Sequence, residues 1–145
     1  MSSTGLPVFD ATVQETNLWL KSVMEKMHTN DRQRAYLALR ATLHALRDRI
    51  GPEPAVHLAA QLPMLVRGLY FEGWRLAASQ SRERHQDEFF DHVRGEWPKD
   101  AGIDVNLAVR AVFATLDEKL DPGEVAKVMK TLPAELEALW PRPRR

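Results

Sequence analysis

Residues 37–63, LALRATLHALRDRIGPEPAVHLAAQLP, return 70 positions later as residues 107–133, LAVRAVFATLDEKLDPGEVAKVMKTLP. Leu37, Ala38, Arg40, Ala41, Leu46, Pro52, Leu62 and Pro63 each face an identical residue in the second stretch. Extended outward without a gap, residues 19–71 align with 89–141 and add Val23/Val93 and Leu69/Leu139. That makes ten identities in 53 positions, where ordinary residue usage gives roughly three. The shared prolines argue hardest, because each marks a backbone break in the same place. The pattern reads as an internal duplication.

Both copies carry the same helical grammar. Trp19, Leu20, Val23 and Met27 recur at helical spacing, as do Phe89, Phe90, Val93 and Trp97. A second helix follows, with Ala35, Ala38, Leu39, Thr42, Leu46 and Ile50 matched by Val105, Ala108, Val109, Val112, Leu116 and Leu120. Asn30 with Gln33, or Asp31, caps its start in the first copy, and Asp104 in the second. Gly51-Pro52 offers a left-handed stop followed by a helix-starting proline, and Asp121-Pro122-Gly123-Glu124 reads as a capping box. A short third helix turns Ala55, Leu58 and Ala59, or Val125, Val128 and Met129, inward. Leu62-Pro63 and Leu132-Pro133 restart the chain, since proline disfavours helical geometry in the residue before it. A last helix closes each copy through Leu65, Val66 and Leu69, or Leu136 and Leu139.

The expected fold is therefore all-α, two tandem four-helix repeats. About 70 residues per repeat is marginal for an independent core, so the two are expected to pack into one helical body. The boundaries read as a flexible N-terminus over 1–11, a first repeat over 12–74, a linker over 75–81, a second repeat over 82–141 and a basic tail over 142–145.

Composition narrows the function classes. An apolar share of 44% against 28% charged residues fits a packed domain and not a disordered chain. Twenty basic residues balance twenty acidic ones, leaving no net field to steer the protein to nucleic acid or an anionic membrane. The absence of cysteine removes disulfides, thiolate nucleophiles and Cys-based zinc sites. No secretory signal or membrane-spanning run is legible, so a cytoplasmic address is expected.

Residues 62–74, LPMLVRGLYFEGW, resemble the signature of the bacterial "domain of unknown function 2267" family. Arg110-Ala111-Val112-Phe113 before Leu120-Asp121-Pro122-Gly123-Glu124, and the closing Leu132-Pro133, Leu136 and Leu139-Trp140-Pro141, are similar to the same family. The likeness runs from about Asn17 to Pro141. It implies a duplicated helical fold, and it carries no activity, cofactor or catalytic residue.

Each candidate site has a plain structural alternative. His85, Glu88 and His92 would share one stripe of a helix, yet zinc wants a fourth ligand and supporting contacts. Glu25 and His28 form a Glu-x-x-His pair, but the second copy has Gly95 and Pro98 in their place, and a di-iron site needs both pairs. With no nucleophile turn and no phosphate-binding glycine loop, no catalytic, cofactor or metal residue is assigned, and the chain is not read as an enzyme. Arg40 and Arg110, the charged residues identical between copies, either tie helix to helix or recognise an acidic ligand. His44 and His57, replaced by Ala114 and Lys127, are expected to be partly exposed. Tyr70, Phe71 and Trp74 either plug the junction between the copies or form a hot spot for a partner. The tail's three arginines read as solubilising, not as a nucleic-acid contact.

The leading expectation is a non-catalytic protein-interaction module, self-association included, with Tyr70, Phe71, Trp74, Arg40, Arg110, His44 and His57 as its candidate surface. The alternative is a small-ligand binding protein with its pocket between the repeats.

Overall fold

The computed structural model describes residues 3–76 and 81–141, which form eight α-helices among them. They are α1 (Pro7–Met27), α2 (Arg32–Ile50), α3 (Pro52–Ala59), α4 (Met64–Phe71), α5 (Gln86–Arg94), α6 (Val105–Lys119), α7 (Pro122–Lys130) and α8 (Ala134–Glu137). The all-α class stands. Residues 77–80 of the expected linker and the basic tail 142–145 lie outside the described residues.

Local chemistry sets most boundaries. Proline opens α1, α3 and α7, where a missing N–H costs nothing. Asp31 caps α2, its Oδ1 accepting from the Gln33 and Arg34 amides at 2.9 and 3.3 Å. Asp104 does the same for α6 through the Leu107 amide at 3.2 Å. Gly51 ends α2 at φ 88°, a left-handed geometry that a side chain resists. The expected capping box at α7 is half formed. Asp121 accepts from the Gly123 amide, while Glu124 turns to Lys127.

Two boundaries differ from expectation. The helix α1 begins at Pro7, so the segment read as flexible over 1–11 joins it from that residue on. The Thr4 amide and hydroxyl, which bind Asp10 Oδ1 at 3.0 and 2.7 Å, fix its entry. In the second half α5 stops at Arg94, short of the expected Trp97. Pro98 disfavours a helical Trp97. The indole is instead buried from the loop, donating from Nε1 to the Leu37 carbonyl at 2.9 Å.

The halves interlock crosswise. Helix α1 packs on α2 and α4 of its own half and on α6 of the other. Helix α5 packs on α6 and α8 and reaches across to α2. The long helices α2 and α6 cross at the centre, and α3 meets α7. Small buried side chains stand on both central helices, Ala38, Ala41 and Ala45 on α2 and Ala108 and Ala111 on α6. One core draws on both halves, with Val23, Leu39, Leu43, Leu46, Val66 and Tyr70 joined to Phe89, Val93, Phe113, Leu116, Leu136 and Leu139. Phe113 stacks on Trp140 at 4.3 Å between centroids. A polar seam fastens α1 to α6. Ser22 lies 3.2 Å from Thr115, and Lys26 pairs with Glu118 at 2.5 Å.

Candidate functional site

The junction aromatics are part of the packing. Tyr70 is fully buried, and its hydroxyl donates to the Ala55 carbonyl at 2.8 Å. Burial first, and the nearby Asp48 charge, push its phenol well above the ordinary value, while Arg47 offsets a little of that rise. Phe71 lies edge-on to Tyr70, and Trp74 stacks on Phe71 at 5.3 Å. Both are half-buried against the core.

Sequence reasoning missed the charged residues that hold this junction. Arg47, 5% exposed, donates from Nη1 to the Tyr70 and Glu72 carbonyls at 2.8 and 3.1 Å, closing the C-terminal end of α4. Its Nε reaches Asp48 at 2.9 Å. On the other side Asp48 meets His92 Nε2 at 3.4 Å, and His92 Nδ1 meets Glu83 at 2.9 Å. A signal was available: Arg47 follows Leu46 on the buried stripe of the second helix, where a charge has to be paired.

Both nitrogens of His92 therefore face carboxylates, a setting for the imidazolium. Hydrogen bonds with Asp48 and then Glu83 raise its pKa to about 9 against the cost of burial. Burial alone would lift Asp48, but the bonds from His92 and Arg47 outweigh it and hold the carboxyl below its usual range.

Arg40 and Arg110 occupy different surroundings. Arg40 donates from Nε and Nη2 to Glu72 Oε1 at 2.9 and 2.6 Å, and from Nη1 to Glu96 at 2.8 Å. The bonds to Glu72 raise the guanidinium pKa further and lower that of the Glu72 carboxyl. Glu96 also faces His44 Nδ1 at 2.9 Å, and His44 Nε2 lies 2.7 Å from the Leu69 carbonyl. This cluster joins α2, the end of α4 and the loop after α5. His44, expected to be partly exposed, is 3% exposed because both ring nitrogens are engaged inside the packing. His57 is exposed on α3. Arg110 binds Asn106 at 2.6 Å and points Nη1 at the Ala138 carbonyl at 3.5 Å.

The expected histidine stripe is taken apart by its partners. His85 precedes α5 and pairs with Glu135 at 2.8 Å, while Glu88 folds back to accept from the Arg84 and His85 amides. His28 forms the left-handed end of α1 at φ 55°. Among the described residues no three His, Asp or Glu side chains gather in a way that would hold a metal ion.

A groove of about 790 Å³ lies within the first four helices. Helix α1 supplies Phe9, Thr12, Val13, Thr16 and Leu20 to its wall, α2 supplies Tyr36 and Leu39, and α4 supplies Met64, Leu65, Gly68 and Leu69. Glu72, just past α4, also lines it. Leu65, expected to face the core, is 48% exposed and lines this groove. Three of its polar wall residues are already engaged. Thr12 Oγ1 accepts from the Leu65 amide, Thr16 donates to the Thr12 carbonyl, and Asn17 accepts from Arg32. A second cleft, about 280 Å³, does lie between the halves, where α3 and α7 meet at His57, Lys127, Glu53 and Glu124.

The groove belongs to the first half's own side chains. Seventy residues on, Tyr36, Met64 and Leu65 become Asn106, Ala134 and Glu135. There Gln86 and His85 bind Glu135, so polar contacts occupy the corresponding corner.

Residues 16–139 match the profile of a family described as an uncharacterized conserved protein, DUF2267. The chain belongs to this family. No curated protein matches it. The DUF2267 match takes in α2 through α8 but starts at Thr16, leaving out the first turns of α1 that contribute Phe9, Thr12 and Val13 to the groove.

Proposed function

We propose that this DUF2267 chain is a non-catalytic binding protein that holds the apolar part of a small ligand in the α1–α2–α4 groove. The groove carries the reading. Its volume of about 790 Å³ falls in the range of small-molecule sites. Its walls are chiefly apolar, and the polar groups of Thr12 and Thr16 are bonded within the protein, so contact with an aliphatic or aromatic group is chiefly what the groove offers. This reading sets the site inside the first half, whereas the sequence pointed to a pocket between the repeats, where the second cleft lies.

Gly68 provides the test. A Cβ added there meets nothing within 4 Å, so Gly68→Phe fills the groove without straining the backbone. Wild type is expected to gain thermal stability with rising concentration of an apolar probe such as dodecanol, and Gly68→Phe to lose that gain while keeping its own melting temperature. An unchanged response in Gly68→Phe sinks the reading.

The interaction-module reading stays second, and one observation favours it. Phe9, Met64 and Leu65 at the lips are about half exposed, and Leu6 and Val8 extend the apolar surface beyond the groove, as a docking helix would use it. Of its original anchors, Tyr70 and His44 are buried and unavailable to a partner. The duplication belongs to the same proposal. Exchanging α1–α4 for α5–α8 carries the pairing of α1 with α6 onto that of α5 with α2, and that of α1 with α4 onto that of α5 with α8. A cytoplasmic, bacterial setting is proposed with it. No helix of the described residues is long and apolar enough to cross a membrane, and the zero net charge supports a role away from nucleic acid.

A further inference from the structure

The groove's one charged lining residue, Glu72, is the acidic half of an ion pair with Arg40. Tyr36 lines the groove on α2, and Arg40 follows one turn later. The planar edge formed by Arg40 Nε and Nη2 is held by a single oxygen of Glu72, at 2.9 and 2.6 Å. Glu72 lies just past the end of α4, and its side chain is 60% exposed. The other edge of Arg40, through Nη1, is fixed to Glu96 deeper in the packing. Arg40 is thus anchored on one side by Glu96, while its other edge meets the exposed carboxylate of Glu72, the residue of the pair that lines the groove.

We infer that the groove takes an aliphatic or aryl carboxylate, with its chain along α1 and its carboxylate replacing that of Glu72 on Nε and Nη2 of Arg40. The inference rests on the groove being a ligand site and adds the chemistry of the head group. Three features support it. The wall from Phe9 to Leu20 offers about 16 Å of length, eleven residues at 1.5 Å each. A two-oxygen carboxylate matches the guanidinium fork better than the single oxygen Glu72 gives it. Replacing one carboxylate by another leaves the charge around Arg40 unchanged, so no buried charge is stranded.

The second half shows what the pairing depends on. Arg110 has the same place on α6, yet its partners are Asn106 and the Ala138 carbonyl. Position 142, seventy residues after Glu72, holds an arginine.

Calorimetric titration of the full chain with dodecanoate, dodecanol and dodecylamine below their aggregation limits tests the inference. Wild type is expected to bind dodecanoate about tenfold more tightly than dodecanol, and dodecylamine least. Arg40→Gln should erase the preference for dodecanoate while dodecanol binding persists. Glu72→Gln, at an exposed position, should strengthen dodecanoate binding several-fold by removing the built-in competitor. If Arg40→Gln fails to fold, Arg40→Lys keeps the charge without the fork and should retain only part of the preference. Equal binding of dodecanoate and dodecanol, tighter binding of dodecylamine, or no gain in Glu72→Gln overturns the carboxylate inference and leaves the groove reading intact. Absence of binding by all three probes, or binding unaffected by Gly68→Phe, overturns the groove reading itself.

Discussion

Thr42 is a single residue whose chemistry conflicts with its place. It is wholly buried on α2, and among the described residues its Oγ1 finds no hydrogen-bond partner. A buried hydroxyl without a partner costs about 1–3 kcal/mol. Seventy residues on, Val112 is just as buried and carries no such group. Thr42→Val should therefore stabilise the protein by about 1 kcal/mol, roughly 3 °C in melting temperature. Calorimetry against wild type checks this, and a lower melting temperature would mean that the hydroxyl has a partner in solution. Arg40 teaches the complementary lesson. That it lies beside the buried stripe of its helix was legible from spacing. That it meets Glu72 and Glu96 was not, because the first lies 32 residues away and the second 56.

At the scale of elements, α5 is held on α2 by charge as well as by packing. His92 on α5 bridges Asp48 at the end of α2 and Glu83, and Arg47 and Arg49 tie into the same region through Asp48 and the Glu83 carbonyl. Its folded-state pKa, about 9, lies above the ordinary 6.5 or so. The stabilisation is then whole below about pH 6.5 and is lost as pH rises through about 9. His92→Gln is expected to melt several degrees below wild type at pH 6, with the gap narrowing steadily toward pH 10. A gap of constant size across that range would mean that the contact is not charged. The helices themselves were largely readable in the sequence, since Asp31, Asp104, Gly51 and the prolines act on their immediate neighbours. The early start of α1 and the early end of α5 were less so, the first because the Thr4–Asp10 contact precedes any apolar stripe, the second because Trp97 kept the helical spacing without the helix.

For the whole molecule, the crosswise pairing of α1 with α6 and of α5 with α2 decides how it unfolds. Each half contains only part of the surface that covers its own first helix, and Trp97 of the second half bonds to Leu37 of the first. Circular dichroism and tryptophan fluorescence should report one coincident denaturant transition for the full chain. The fragment ending at residue 76 should show no cooperative transition at all. Two separated transitions, or a folded fragment, would contradict a shared core. The groove is the feature least legible at this scale. Phe9, Tyr36 and Met64 stand far apart in the chain, and no spacing rule brings them to one cavity; it takes the approach of α1, α2 and α4.

The Ser22–Thr115 contact spans 93 residues, and that separation has a consequence in time. A ribosome adds about 5–20 residues each second, and segments fold as their partners emerge. For about 5–19 s of synthesis, the face of α1 that packs on α6 therefore waits for it, with Trp19 and Ser22 uncovered on that side. A nascent chain of this design offers its first helix to chaperones, or to another nascent chain, before it can offer it to itself.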